Sequence, residues 1–169
     1  FMVAWWPVLL LATVGSAVAF WRYIHTRRGQ LQWDQAKLRL PIAGNIILKA
    51  TLSRFARSFS LALGSGVPAV QALTMVAQTV ENEFVAGRVE QMRISVERGE
   101  SILRTATASG IFTPVVLQMV AVGEESGALD DLLAEVADMY QRDVEYDLKS
   151  LASQIEPILV IGLGIVVLV

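Results

Sequence analysis

The sequence predicts an all-α protein, a cytoplasmic bundle of about six antiparallel helices flanked by transmembrane helices. Three observations carry this. Phe1 to Trp21 holds no charged residue. Through the middle of the chain, apolar residues recur at steps of three and four, never in the alternation of a strand. Proline, glycine and capping residues punctuate that pattern at short intervals, as in a compact bundle.

The first apolar run is long enough to cross a bilayer, since about 20 residues at ~1.5 Å each span a hydrocarbon core of roughly 30 Å. Trp5 and Trp6 near one end, with Trp21 and Tyr23 at the other, match the aromatic belts of the two interfaces. A signal peptide would carry its basic residues first and a cleavage site after. Here Arg22, Arg27 and Arg28 follow the apolar run. Pro157 to Val169 is again free of charge and stops while still apolar, and Phe1 is not an initiator residue. The chain is therefore expected to be a piece of a longer protein. The expected division is a transmembrane helix at 1–23, a basic juxtamembrane linker at 24–44, a helical bundle at 45–154 and the start of a truncated transmembrane helix at 155–169.

The net charge of -2 says little, but its distribution is informative. Eight basic residues and one acid, Asp34, fall between Arg22 and Arg57, whereas acids dominate from Glu124 to Lys149. A basic excess directly after the first span places residues 22–155 in the cytoplasm by the positive-inside rule. Nucleic acid is not an expected partner, because the basic residues cluster where anionic lipid attracts them at ~1 kcal/mol each. The absence of cysteine suits a reducing compartment.

Beyond the linker, Leu40-Pro41-Ile42-Ala43-Gly44 reads as a break. The first bundle helix carries Leu52, Phe55, Ala56, Phe59 and Leu63 on one stripe. Ser65-Gly66-Val67-Pro68 ends it, with Pro68 opening a second helix that runs to about Thr79. Asn82 is the expected N-cap of a third helix, which stops at Gly99. A short element, Ser101 to Ala108, is closed by Ser109-Gly110. Thr113-Pro114 then opens a fifth helix, Val115 to about Val122, whose apolar composition places it at the centre of the bundle. Gly123-Glu124-Glu125-Ser126-Gly127 is the sharpest expected break, with Ser126 as cap of the next helix. That last helix carries an unbroken stripe from Leu129 through Tyr140 to Ile155, so it should feed straight into the second span and bend at Pro157.

Nothing in the chain reads as catalytic. The single histidine, His25, is an interfacial polar residue, and there is no cysteine nucleophile, phosphate loop or zinc pair. No cofactor is expected, with calcium as the one candidate ligand. Glu124, Glu125, Asp130 and Asp131 gather around a glycine-containing turn, and Glu124 and Asp130 are the candidate oxygen ligands. The competing explanation for Asp130 and Asp131 is the first turn of a helix, where acids offset the macrodipole by ~0.3–1 kcal/mol. Arg54, Arg57, Glu124 and Glu125 are the candidate partner-binding residues. The Arg54–Arg57 and Asp138–Asp147 stretches carry opposite charge, and either pair internally or face partners.

These turns and helices together resemble the type II secretion F family, the inner-membrane platform proteins of type II secretion systems and type IV pili. The resemblance rests on Leu40-Pro41-Ile42-Ala43-Gly44, Arg54-Phe55-Ala56-Arg57, Ser65-Gly66-Val67-Pro68, Val96-Glu97-Arg98-Gly99-Glu100, Phe112-Thr113-Pro114, Val122-Gly123-Glu124-Glu125-Ser126-Gly127, Leu129-Asp130 and Ile155-Glu156-Pro157. They occur in the family's order across nearly the whole chain after residue 40. Thr113 departs from the usual Phe-Pro-Pro pattern and still suits an N-cap. Proteins similar to this one carry two such repeats, and the preceding span makes this the second; the branch of mannose-sensitive haemagglutinin pili looks especially close.

The resemblance implies a multi-pass protein of the bacterial inner membrane that is not an enzyme. Its implied partners are a cytoplasmic assembly or secretion ATPase, pilin or pseudopilin, other inner-membrane assembly proteins and further copies of itself. The rival readings are a membrane receptor with a helical signalling domain, which calls for sustained heptads and an extracytoplasmic sensing domain, neither present here, and a transporter subunit, which calls for polar or charged residues within the spans. Phe1 to Trp21 offers only Thr13 and Ser16, and the full-length chain decides between these readings.

Overall fold

The computed structural model describes Leu38 and residues 43–168. The expected first span, His25 and the basic linker up to Ile42 apart from Leu38 lie outside the described residues. Among the described residues every regular element is a helix: α1 (Ala43–Gly64), α2 (Ala69–Thr79), α3 (Glu83–Glu97), α4 (Ile102–Ser109), α5 (Pro114–Ser126) and α6 (Leu129–Leu168).

Local chemistry sets the boundaries. At the end of α1 the Gly66 N–H donates to the Leu63 carbonyl at 2.9 Å and the Val67 N–H to Ala62 at 3.0 Å, a Schellman closure. It requires the left-handed backbone that Gly66 adopts, φ 81°. Pro68 stands as the N-cap of α2, one position before the expected one. The Asn82 side chain accepts from the N–H groups of Phe84 and Val85 at 3.1 and 3.2 Å, capping α3 as expected. Ser101 caps α4, and Thr113 with Pro114 opens α5.

Two boundaries differ from the sequence reading. Ala43 and Gly44 are already helical within α1, so neither belongs to the break expected at residues 40–44. α5 does not stop at Val122; it runs through Gly123 to Ser126, and the break falls at Gly127, φ 74°. Ser126 therefore ends α5, although its hydroxyl does accept from the Ala128 N–H at 3.4 Å just ahead of α6.

The spine is the antiparallel pair α1 and α6, which share the most extensive contact in the bundle. Ser60 Oγ donates to the Asp130 carbonyl at 2.7 Å, and Ser53 Oγ to Ala137 at 2.8 Å. Lys49 Nζ reaches Asp147 at 2.8 Å. Leu52, Phe55, Ala56 and Phe59 of α1 are buried with Leu133, Val136, Ala137 and Tyr140 of α6. Phe55 also stacks near Phe59 and Phe112, centroids 5.7 and 5.8 Å away, within the range where aromatic pairs add to burial.

α5 is not the centre of this core. Val116, Val120 and Gly123 are buried, but Val115 and Val122 are 54% and 57% exposed. The centre belongs to the spine, which supplies the two largest fully buried side chains, Tyr140 and Phe59.

α6 is continuous for 40 residues with Pro157 inside it, about 60 Å of helix. Its stripe is half-buried at Leu129 and Leu132 and buried from Leu133 to Tyr140; Leu148 and Ile155 are each 51% exposed, and Ile158 to Ile165 is exposed throughout. By length and composition this helix can cross a membrane.

Tyr140 is the largest fully buried side chain, and among the described residues its hydroxyl has no hydrogen-bond partner. Burial pushes its phenol above the ordinary tyrosine value. Removing a hydroxyl that makes no bond costs little, so Tyr140→Phe is expected to change stability by less than about 0.5 kcal/mol. The raised value keeps the folded form protonated where the unfolded chain ionises, near pH 10. The wild type should thus lose stability above that pH through this group, and Tyr140→Phe should lose less. Thermal unfolding of the detergent-solubilised protein between pH 8 and 11 checks both; a steeper loss in the variant would refute them.

Candidate functional site

The four candidate partner residues separate into two kinds. Arg57 donates to Asp138 across the α1–α6 spine, and Lys49 engages Asp143 and Asp147, so the two oppositely charged stretches pair internally at these points. Arg54 turns outward instead and meets Glu81 at 2.9 Å, both side chains largely exposed. Such a pair contributes little to folding, and Arg54 stays accessible.

Glu124 has a different job from the one its sequence position suggests. One carboxylate oxygen accepts from the Ile102 N–H at 2.8 Å and the other from the Leu103 N–H at 3.0 Å. These are the first two amides of α4, which no intrahelical carbonyl can serve. Ser101 Oγ takes the third, from Arg104, at 3.2 Å. A side chain of α5 thus clasps the positive end of α4. Glu125 is exposed.

Asp130 lies in the first turn of α6, its carbonyl held by Ser60 and a carboxylate oxygen 3.4 Å from where a Cβ on Gly64 would stand. Glu124 and Asp130 are the residues singled out for calcium. Both Glu124 oxygens are committed to backbone amides, and among the described residues no three or more His, Cys, Asp or Glu side chains gather to hold a metal ion.

One feature went unread in the sequence. Arg88, Gln91 and Ser95 on one face of α3, with Arg98 at its C-cap, line a groove of about 300 Å³ against Thr105 and Ser109 of α4. Arg88 lies over the Phe84 ring, 5.2 Å from its centroid. On the adjoining face Arg93 is engaged by Glu90 and Glu97 at 2.7 and 2.8 Å, and the Arg93 hydrogen bond holds the Glu90 carboxyl below its usual value. Lys49, Arg54, Arg57, Arg104 and Arg142 are likewise each paired with a carboxylate. Among the described residues that leaves Arg88, Arg98 and Lys149 without one, and two of the three share this groove. The helical spacing of residues 88, 91, 95 and 98 was visible; which arginines would find partners was not.

The family described as type II secretion system (T2SS), protein F, matches residues 55–169. A type IV pilus assembly protein PilC from Thermus thermophilus is 41% identical over 162 residues, covering 95% of this chain and 40% of the relative. PilC from Myxococcus xanthus is 35% identical, over 90% of this chain and 38% of its own. A type II secretion system protein F from Pseudomonas aeruginosa is 31% identical, over 98% and 41%. The chain therefore spans about two-fifths of the length of these relatives. The matched region runs from the core of α1 through the whole bundle and into the apolar half of α6, and on that ground the chain belongs to the type II secretion system protein F family.

Proposed function

We propose that the chain is the second cytoplasmic repeat, with its adjoining membrane segments, of an inner-membrane platform protein. That platform couples a cytoplasmic assembly ATPase to the polymerisation of pilin or pseudopilin. The observation that carries the reading is α6: one uninterrupted helix supplies the wall of the bundle core, continues into the charge-free run that begins at Pro157, and by length and composition can cross a membrane. A load applied to the bundle is passed along such a helix without an intervening hinge loop. The names of the relatives, pilus assembly and secretion proteins, support the setting. In this reading the protein binds and transmits and carries out no chemistry of its own. Arg54 and Glu125 are the members of the candidate set free to meet the ATPase, since Arg57 and Glu124 hold the fold together.

Inserting two glycines after Ser150 interrupts α6 between the bundle and the membrane segment. In cells of the source organism this variant of the full-length protein should stay in the inner membrane, keep its ATPase co-purification and lose surface pili or secreted substrate. Wild-type assembly by the insertion variant would refute the coupling. Loss of ATPase co-purification on Arg54→Glu, with the fold intact, is the corresponding check on that surface.

A further inference from the structure

We propose that the α3–α4 groove is a docking site for an acidic segment of a cytosolic protein, recognised by Arg88 and Arg98. The inference deepens the platform reading and rests on it for two things, the placing of the membrane beyond Pro157 and of the bundle in the cytoplasm.

Three observations converge on the groove. The first is charge: Arg88 and Arg98 are cations without a carboxylate partner among the described residues, whereas their neighbours Arg93 and Arg104 are satisfied within the chain. Two uncompensated guanidiniums on one face favour an anionic occupant, and their fork geometry suits carboxylates. The second is shape. Arg88 within α3 and Arg98 at its C-cap stand ten residues apart, about 15 Å along the helix axis, and Gln91 and Ser95 line the groove between them. An ion or a small metabolite cannot bridge that distance, but a helix or extended segment with spaced carboxylates can. The third is location. Glu124 ties the first amides of α4 to the end of α5, which leads through Gly127 into the start of α6, so the α4 wall of the groove begins beside the end of α6 remote from Pro157. Leu129 and Pro157 are about 42 Å apart along α6, whereas α4 runs only eight residues, about 12 Å. Lipid headgroups at the end of the apolar segment do not reach so far, which favours a protein occupant over a membrane surface.

The test uses the full-length protein in nanodiscs of neutral phosphatidylcholine. The probe is a fluorescein-labelled helical peptide with glutamates ten residues apart on one face, read by anisotropy. The double variant Arg88→Gln with Arg98→Gln keeps side-chain length and removes the charge; it should weaken peptide binding at least tenfold. Ser95→Trp, which fills the groove and leaves both arginines, should weaken it comparably, with unfolding temperatures close to wild type in each case. Lys149→Ala removes the third unpartnered cation, outside the groove, and should leave binding unchanged. Binding of the double variant within twofold of wild type overturns the proposal. So does an equal loss on Lys149→Ala, which would reduce the effect to net charge. Displacement of the peptide by phosphatidylglycerol vesicles as readily as by free peptide would reassign the groove to lipid, and also overturns it. None of these outcomes depends on whether the glycine insertion in α6 blocks assembly, so the two readings fail separately.

Discussion

Gly123→Val is expected to lower the unfolding free energy by about 3 kcal/mol, the upper end of what overpacking a close contact costs. A Cβ at this position would stand 2.9 Å from the Leu129 Cα, and 3.2 and 3.3 Å from the Leu129 and Leu132 Cδ1 atoms. The leucine tips can turn away. The Leu129 Cα cannot, because it begins α6 immediately after the turn at Gly127 and its position sets how α6 leaves α5. Even alanine should destabilise, by about 1 kcal/mol, although alanine normally gains nearly that much over glycine inside a helix. Gly87 is the internal control. It lies within α3, a Cβ there meets nothing within 4 Å, and its backbone is not left-handed. Gly87→Ala should therefore stabilise by about 0.5–1 kcal/mol. Chemical unfolding of the detergent-solubilised protein, followed by circular dichroism, gives the comparison. Similar effects of alanine at positions 123 and 87 would show that α5 and α6 do not approach as closely as the structure has them.

The same glycine shows where sequence reading stopped. Gly123 and Gly127 flank one acidic motif and were read together as a single break. Only Gly127 is a conformational glycine; Gly123 is small because another helix passes it, which is a tertiary fact. Signals that act within a few residues were legible: the Asn82 cap, the Thr113-Pro114 start and the stripe that runs from Leu129 into the span. The long apolar run of α5 was legible as a helix but not as a surface one. Apolar composition does not reveal which neighbours cover a face, and α5 fully buries only Val116, Val120 and Gly123, with Met119 partly packed against the core. For the candidate site, opposite charge on two stretches left internal pairing and partner docking both open. The pairing of Arg57 with Asp138 across the spine chose the first for that arginine, and the exposed contact with Glu81 left Arg54 available.

Glu124→Ala should cost about 2 kcal/mol and act first on α4. Hydrogen bonds to a charged group contribute roughly 1.5–3 kcal/mol when buried, and here two of them meet adjacent amides on a part-buried carboxylate. α4 is only eight residues long, too short to hold its helical form without tertiary support. With the carboxylate gone, the Ile102 and Leu103 amides lose their partner and Ser101 alone caps the helix. Glu124→Gln keeps one acceptor oxygen but no charge, so it should cost about half as much. Hydrogen exchange separates this local role from a general loss of stability: the amides of residues 102–104 should exchange faster in Glu124→Ala by a larger factor than those of the α1–α6 spine. Uniform acceleration across the bundle would mean that the clasp is not specific to α4. The consequence reaches function, because Thr105 and Ser109 of α4 form one wall of the groove that carries Arg88 and Arg98. An acid in the most recognisable motif of the chain would then influence docking without touching the partner, by holding in place the helix against which the partner lies. An assembly defect in Glu124→Ala that Glu124→Gln partly relieves, in step with α4 protection, is the pattern this role requires. Complete loss in both variants with α4 fully protected would instead put Glu124 itself at the interface.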